Sequence, residues 1–499
     1  MSIFLAALPI LVVLSLMVLA HWSGTRAGIA GWLTGVLCAS VAFGLNFQVL
    51  WVSQAKGLYL SFYVLAVLVP AIFLYQVVER TGGIDAVSDL LKNAIHDRGW
   101  LALLLAWAFS GMLEGLAGFG LPVAIIAPML VTLDIHPLTA VAAVAAGHAW
   151  SVTFGDMGVI FQTLTAIVRL DAAYLAPMTV LVLGVACLLC GLSAALILRQ
   201  GRHWARLLVV GVVMSAVQAG LALLGLTPLS AFGAGLSGVA VGIFLVKNGA
   251  PRTLEPTQKQ PLINTLVSYG GLTLLMATVF VVPGVRAWLN QVAIIFSYPA
   301  VETIHGQHTE AVKQVFTPLT HPGMLLLLVG ILSAWIYQKN RHLPPAGWKH
   351  ALEATWKAAA PASTGIILMV GLSTLMEHTG MTQTLAQALS QLTGSMFPVV
   401  SPLVGMLGAF ATGSNNNSNV LFAPLQQSAA RLLEIDGRVL LAAQTAGGAL
   451  GSMIAPAKLI LGCSTVNLRG REGDVLRRTL PYGLGIGVLL GVLAWFLSS

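Results

Sequence analysis

Residues 411–424 read ATGSNNNSNVLFAP, with Asn415, Asn416 and Asn417 set between apolar runs that would otherwise join into one membrane span. Lipid offers no partner to an amide side chain or to an interrupted backbone. An interruption here belongs against protein or a water-filled cavity, so the rest of the chain must supply that surrounding.

Working outward, the 499 residues are 57% hydrophobic and only 8% charged, against about 25% charged in a typical water-soluble protein. Apolar runs near the roughly 20 residues that cross a bilayer recur from end to end. The chain reads as an all-α polytopic membrane protein with roughly 12–14 spans. Short apolar pieces near 120–133, 157–168, 418–431 and 456–467 are too short to cross alone and read as re-entrant or broken helices. The formal charge of +8 lies in inter-span loops, which suits a membrane surface and not nucleic acid. Met1–Ala20 lacks a basic leader and reads as a retained span. Cys38, Cys187, Cys190 and Cys463 all lie in apolar segments. CLLC at 187–190 has no histidine nearby and reads as helix packing, so neither a disulfide framework nor a metal or other cofactor is expected.

Sidedness follows from Lys and Arg. Arg199, Arg202 and Arg206 mark one loop, Lys247, Arg252 and Lys259 a second, Lys339, Arg341, Lys349 and Lys357 a third, and Arg469, Arg471, Arg477 and Arg478 a fourth. All become cytoplasmic together if both termini face outward, which leaves 284–321 outside.

The chain also repeats itself. VVERTGGIDAVSDLLKNAI at 77–95 resembles LMEHTGMTQTLAQALSQL at 375–392, with Glu79 and Glu377 standing 298 apart. GMLEGLAGFGLPVAIIAP from Gly111 resembles GMLGAFATGSNNNSNVLFAP from Gly405, and Pro128 and Pro424 are 296 apart. GHAWSVTFGD then matches AQTAGGALGS, His148 meeting Gln444 at the same 296. Three patches at nearly one offset divide the chain into 1–200, a linking pair of spans with a cytoplasmic loop at 201–263, and 264–499. The sidedness runs 58–78 inward and 361–377 outward, so the two copies are expected to be inverted, the architecture of secondary transporters with a site between the copies. The Glu-x-Thr-Gly patches themselves read as helix ends, for which Gly82 and Gly380 are suited.

The interruptions carry the chemistry. In LEGLAGFGLP, glycines remove side chains around Gly118, Phe119 and Gly120, and Pro122 cannot donate, so a span ends and a helix restarts with open, partially positive amides. Its counterpart offers Ser414, Asn415, Asn416, Asn417, Ser418 and Asn419, both donors and acceptors, to a carboxylate and hydroxyl or to a cation. Glu114, Asp156 and Lys458 lie in apolar surroundings at roughly 2.5–3.5 kcal/mol each, so they face a cavity or one another. A Lys458–Asp156 pair is one expectation, and Lys458 as counter-charge to an anionic substrate is another. His148, placed two helical turns before Asp156, makes with it a candidate proton relay. No His-Glu-x-x-His run and no nucleophile with a base is present, so an enzyme is not expected.

EGLAGFGLP at 114–122, FGDMG at 154–158, TGSNNNSNVLFAPLQQSAA at 412–430 and AAQTAGGALGSMIAPAKLILGCSTVNLRGREGD at 442–474 resemble the bacterial lactate permease family. The resemblance implies uptake of lactate or a related 2-hydroxymonocarboxylate such as glycolate by proton symport across the bacterial inner membrane. It also implies a homodimer and an elevator-like motion, by analogy with the wider ion transporter superfamily. A sodium-coupled carrier of another small organic anion is the alternative. The chain departs from the family pattern in four places: SNNNSN replaces a common aspartate-bearing run, His148 a common asparagine, Asp156 a small residue, and Lys458 is unusual. Either the carboxylate lost at 415 is compensated by the one gained at 156, which moves proton handling to Asp156 or His148, or the coupling ion or the substrate differs.

Overall fold

Backbone groups facing lipid must bond within their own segment, so helices dominate. A computed structural model describes residues 2–20, 22–83, 86, 91, 93–116, 118, 120–246, 256–468 and 471–498. Among them, 12 helices are long and apolar enough to cross a membrane. The longest, Phe47–Glu79, has 33 residues and starts where Asn46 accepts the Val49 N–H at 2.9 Å.

Length alone does not decide which helices cross. Arg98–Leu116 is long enough, but Leu121–Val131 brings the chain back, and Arg98 Nη1 meets Asp134 Oδ2 at 2.8 Å. Residues 98–134 therefore form a re-entrant hairpin where the hydropathy placed a span at 100–118. Phe397–Thr412 and Asn415–Leu432 form a second hairpin, closed by Ser418 Oγ donating to the Gly405 carbonyl at 2.7 Å. Gly413, at φ +70°, makes its turn without the Cβ clash another residue would meet. The pieces expected at 157–168 and 456–467 are the second halves of interrupted spans. Pro137–His148 passes through a 3₁₀ stretch, Ala149–Phe154, into Gly155–Val168. Gly437–Gly451 breaks before Pro456–Thr465.

Packing does not follow the halves of the chain. One apolar body joins the first hairpin and helices Pro137–His148, Ala172–Ile197, Trp204–Leu223 and Ser230–Phe244 to Gly437–Gly451, Pro456–Thr465 and Glu472–Ser498. A second joins Ser2–Val18, Gly24–Ala42, Phe47–Glu79, Pro256–Val281, Pro322–Lys339 and Gly347–His378. The hairpin Phe397–Leu432 and helix Gly155–Val168 touch both. Among the described residues the strands lie within 284–321, where Ile294–Tyr298 pairs antiparallel with Val312–Phe316, and Val301–Glu302 with His308–Thr309. Phe316 anchors this ribbon in the second body, and Asn46 Nδ2 donates to the Glu302 carbonyl at 2.8 Å. The β-branched, aromatic run IIFSYPAV is the signal that could have announced it.

Candidate functional site

Four interruptions meet at one place. Ser414 is extended and caps helix Asn415–Leu432, its Oγ accepting the Asn417 N–H. Asn415 Nδ2 donates to the Thr445 carbonyl at 3.1 Å and to Thr153 Oγ1 at 3.3 Å, tying the second hairpin to both interrupted spans. Thr153 and Thr445 hydroxyls lie 3.2 Å apart. Across this junction Lys458 Nζ meets Glu114 Oε1 at 3.3 Å, while the Gly118 N–H donates to Asp156 Oδ1.

The surrounding cavity, about 370 Å³, is lined by Glu114, Asp156, Ser414, Asn416, Asn417 and Lys458 among others. The second body closes it with Gly24, Leu68, Pro361, Ala362, Gly365 and Ile366. Glu114 is 1% exposed, Asp156 7% and Lys458 8%, so bulk water does little to screen the three charges. Two helices, Asn415–Leu432 and Pro456–Thr465, begin at the cavity, and both put the positive ends of their dipoles there. The buried amide of Asn416 has neither atom engaged by protein, and Asn417 Oδ1 is also unengaged. The arrangement suits a small carboxylate with a neighbouring hydroxyl: one buried ammonium, two helix starts and free amides.

The expected residues divide into three groups. Glu114, Asp156, Ser414, Asn415, Asn416, Asn417 and Lys458 line the cavity. Gly118 and Gly120 shape it from behind: a Cβ on Gly118 would stand 2.8 Å from both Glu114 Oε1 and Asp156 Oδ1, and one on Gly120 3.0 Å from Leu461. Phe119 lies outside the described residues. Ser418 and Asn419 face away, Ser418 into the hairpin and Asn419 onto Thr445 Oγ1 at 2.9 Å.

Two expectations need correction. The buried lysine pairs with Glu114, not Asp156, because Asp156 is held by the hairpin-turn amide at Gly118. The helical register that would stack His148 on Asp156 is also absent. The 3₁₀ stretch intervenes, and Asp156, Met157 and Gly158 take left-handed φ of 49°, 54° and 76°. His148 is fully buried behind the cavity, its Nδ1 on the Val144 carbonyl at 2.7 Å.

Lys56 went unnoticed in the sequence because a charge nine residues into Phe47–Glu79 looks like a flank of a span starting at 58. The helix begins earlier, and Lys56 is 1% exposed with Nζ 4.0 Å from Glu377 Oε1. Arg169 Nη2 meets the same oxygen at 2.8 Å. Glu377 and Arg169 line a polar chamber of about 480 Å³ with Arg431, His308 and Glu310. The repeated Glu-x-Thr-Gly turn is thus an ion-pair station as well as a helix end.

Crossing helices, two re-entrant hairpins and a cavity lined by buried charges between two bodies are the features of a multi-pass membrane carrier. The family model described as L-lactate permease matches residues 2–499, and the chain belongs to that family, whose members lie in the bacterial inner membrane. It is 27% identical to the L-lactate permease of Bacillus subtilis (strain 168), over 99% of this chain and 95% of that protein. It is 25% identical to the glycolate permease GlcA of Escherichia coli (strain K12), over 99% and 95%. Among solved structures it resembles the Alcanivorax borkumensis YdaH transporter with a TM-score of 0.55 and 14% identity, covering 95% of this chain and 98% of that one. Neisseria gonorrhoeae MtrF gives a TM-score of 0.53 at 14% identity, covering 95% and 94%. At these identities the two structures speak for the fold alone.

Proposed function

We propose that this protein carries lactate, glycolate or a closely related 2-hydroxymonocarboxylate across the bacterial inner membrane as a secondary transporter, coupled to protons. The observation that carries the reading is the convergence of Lys458 and two helix starts on one cavity of about 370 Å³. A carboxylate sits against Lys458 and the amides of the helix starts, and the unengaged Asn416 amide takes the hydroxyl. The two copies are inverted. In support, the first hairpin closes at Arg98–Asp134, next to Asp97 and Arg202, whereas the second ends at Arg431 in the chamber beneath the β-ribbon. With the ribbon outside, both termini face outward and the cavity alternates by movement of the first body along the second.

A sodium-coupled reading has its own support: the carbonyl oxygens of Asn415, Asn416, Asn417 and Asn419 are all buried without a protein partner. Labelled L-lactate and glycolate offered to proteoliposomes, with pH and sodium gradients imposed separately, decide between the two. Accumulation driven by external acid supports proton coupling; accumulation that needs sodium and ignores a protonophore supports the second reading. No uptake of either acid under any gradient sinks the substrate class.

A further inference from the structure

We infer that Glu114 carries the coupling proton: the substrate carboxylate takes its place on Lys458, and Glu114 is protonated as it lets go. The inference rests on the proposed transport of a carboxylate and adds the residue and the stoichiometry.

The charge count requires such a step. Glu114 and Asp156 are two acids against one base, Lys458, and all three are buried around the same cavity. An arriving carboxylate would leave three negative charges facing one positive charge where water does not screen them. Neutralising one acid returns the site to its starting charge, so one proton enters with each anion.

Position selects which acid. Asp156 is anchored by the Gly118 N–H at the hairpin turn and makes no ion pair with Lys458, whose partner is Glu114. Glu114 has one oxygen on Lys458 and the other, Oε2, buried with no protein partner. The contact that substrate must take over is therefore the one Glu114 already holds. Other groups near helix Ser110–Leu116 do not serve. Its neighbours Leu121–Val131 and Ser230–Phe244 carry no titratable side chain, and Ala149–Phe154 carries none. Pro137–His148 contributes only His148, which does not line the cavity, with Nδ1 on the Val144 carbonyl and Nε2 buried without a protein partner. Gly118 lets the two carboxylates approach one another, since any side chain there would collide with both.

The exchange balances. On the loading side the Lys458 N–H bond to Glu114 is replaced by one to the substrate carboxylate, and a proton from water adds to Glu114. On the release side the substrate leaves, Glu114 returns its proton to water, and its bond to Lys458 re-forms.

The test uses the full chain in proteoliposomes with labelled L-lactate and glycolate. Glu114→Gln mimics the protonated acid. It is expected to keep exchange of internal for external substrate with the pH dependence of that exchange gone, and to lose accumulation driven by external acid, down to the level of empty liposomes. Wild-type accumulation by the variant overturns the proposal. So does a folded variant, by size exclusion, that neither exchanges nor accumulates, because that outcome assigns Glu114 to binding. If Glu114→Gln does not fold, Glu114→Asp is read instead: a shifted pH optimum of exchange supports proton carriage, and an unshifted one overturns it. Wild-type uptake driven by sodium alone overturns the proton role but leaves carboxylate transport standing. Absence of any wild-type uptake overturns both.

Discussion

Two charged clusters in this protein use the same three-part arithmetic with opposite signs. The inner one sets two acids, Glu114 and Asp156, around one base, Lys458. The outer one sets two bases, Lys56 and Arg169, around one acid, Glu377. The inner charges are at most 8% exposed, whereas the Arg169 and Glu377 side chains are 32% and 35% exposed. A surplus of acid in a dry site resists a further anion unless positive charge enters with it. Lys56 is buried beside the outer chamber, whose own charges, Arg169 and Arg431 against Glu377 and Glu310, balance in partly exposed surroundings. The pairs also differ in what they join. Glu114 and Lys458 both belong to the first body, while the Arg169–Glu377 bond ties a boundary helix to the second. Relative movement of the bodies would keep the first bond and break the second.

The inner cluster can be broken with the largest effect. Lys458→Ala leaves the buried Glu114 without its partner, at a cost of about 3–5 kcal/mol. Its uptake of labelled lactate should fall to background and its melting temperature should drop. The double variant Lys458→Met with Glu114→Gln should recover the melting temperature without recovering uptake. Recovery of both would mean that the pair is structural only.

Gly118→Ala places a Cβ against both carboxylates, and overpacking of this kind costs roughly 1–3 kcal/mol. Uptake should be largely lost, read as initial rate at matched membrane expression, and wild-type rates would show that the acids can move apart. Adjacent asparagines differ in their ties to the protein. Asn415 is tied to Thr153 and Thr445, so Asn415→Ala should reduce stability by about 1–3 kcal/mol in thermal unfolding. Asn416 is tied to nothing in the protein, so Asn416→Ala should leave stability alone and raise KM about tenfold, some 1.4 kcal/mol.

The outer cluster should respond more weakly. Arg169→Gln or Glu377→Gln should alter uptake only a few-fold, with the difference shrinking at high salt, because partly exposed pairs are worth about 0–1 kcal/mol and are screened. An effect as large as that of Lys458→Ala would place the coupling chemistry at the rim instead. The smallest effect belongs to Asp436, which caps helix Gly437–Gly451 by accepting the Arg438 N–H at 2.9 Å. The Arg438 side chain, hydrogen-bonded to it, holds this carboxyl below its usual range. A depressed carboxyl stabilises the fold above its unfolded value, and that stability is lost as pH falls through the folded value. Acid unfolding should therefore begin at slightly higher pH in Asp436→Asn, measured by tryptophan fluorescence in detergent.

Much of this was legible in the chain. Hydropathy marks lipid-facing helix, and glycine, proline and asparagine within apolar runs mark where helices break, because both are properties of a residue and its near neighbours. ATGSNNNSNVLFAP and EGLAGFGLP announced their hairpin turns for that reason. The same locality hid other features. Residues 100–118 look like a span because nothing in them shows that Asp134 returns to Arg98. Lys56 looked like a flank because the helix carrying it outruns its most apolar part.

By itself, then, the sequence determined a membrane protein of broken helices with buried charges that need partners, since burying a charge in an apolar segment is prohibitive without one. Only the tertiary structure decided which partners. Lys458 and Glu114 are 344 residues apart, and their pairing depends on a hairpin turn meeting the start of a distant helix. The Asp156 carboxylate likewise finds its partner in a Gly118 amide 38 residues away. The need for compensation is local, whereas its source is set by long-range packing.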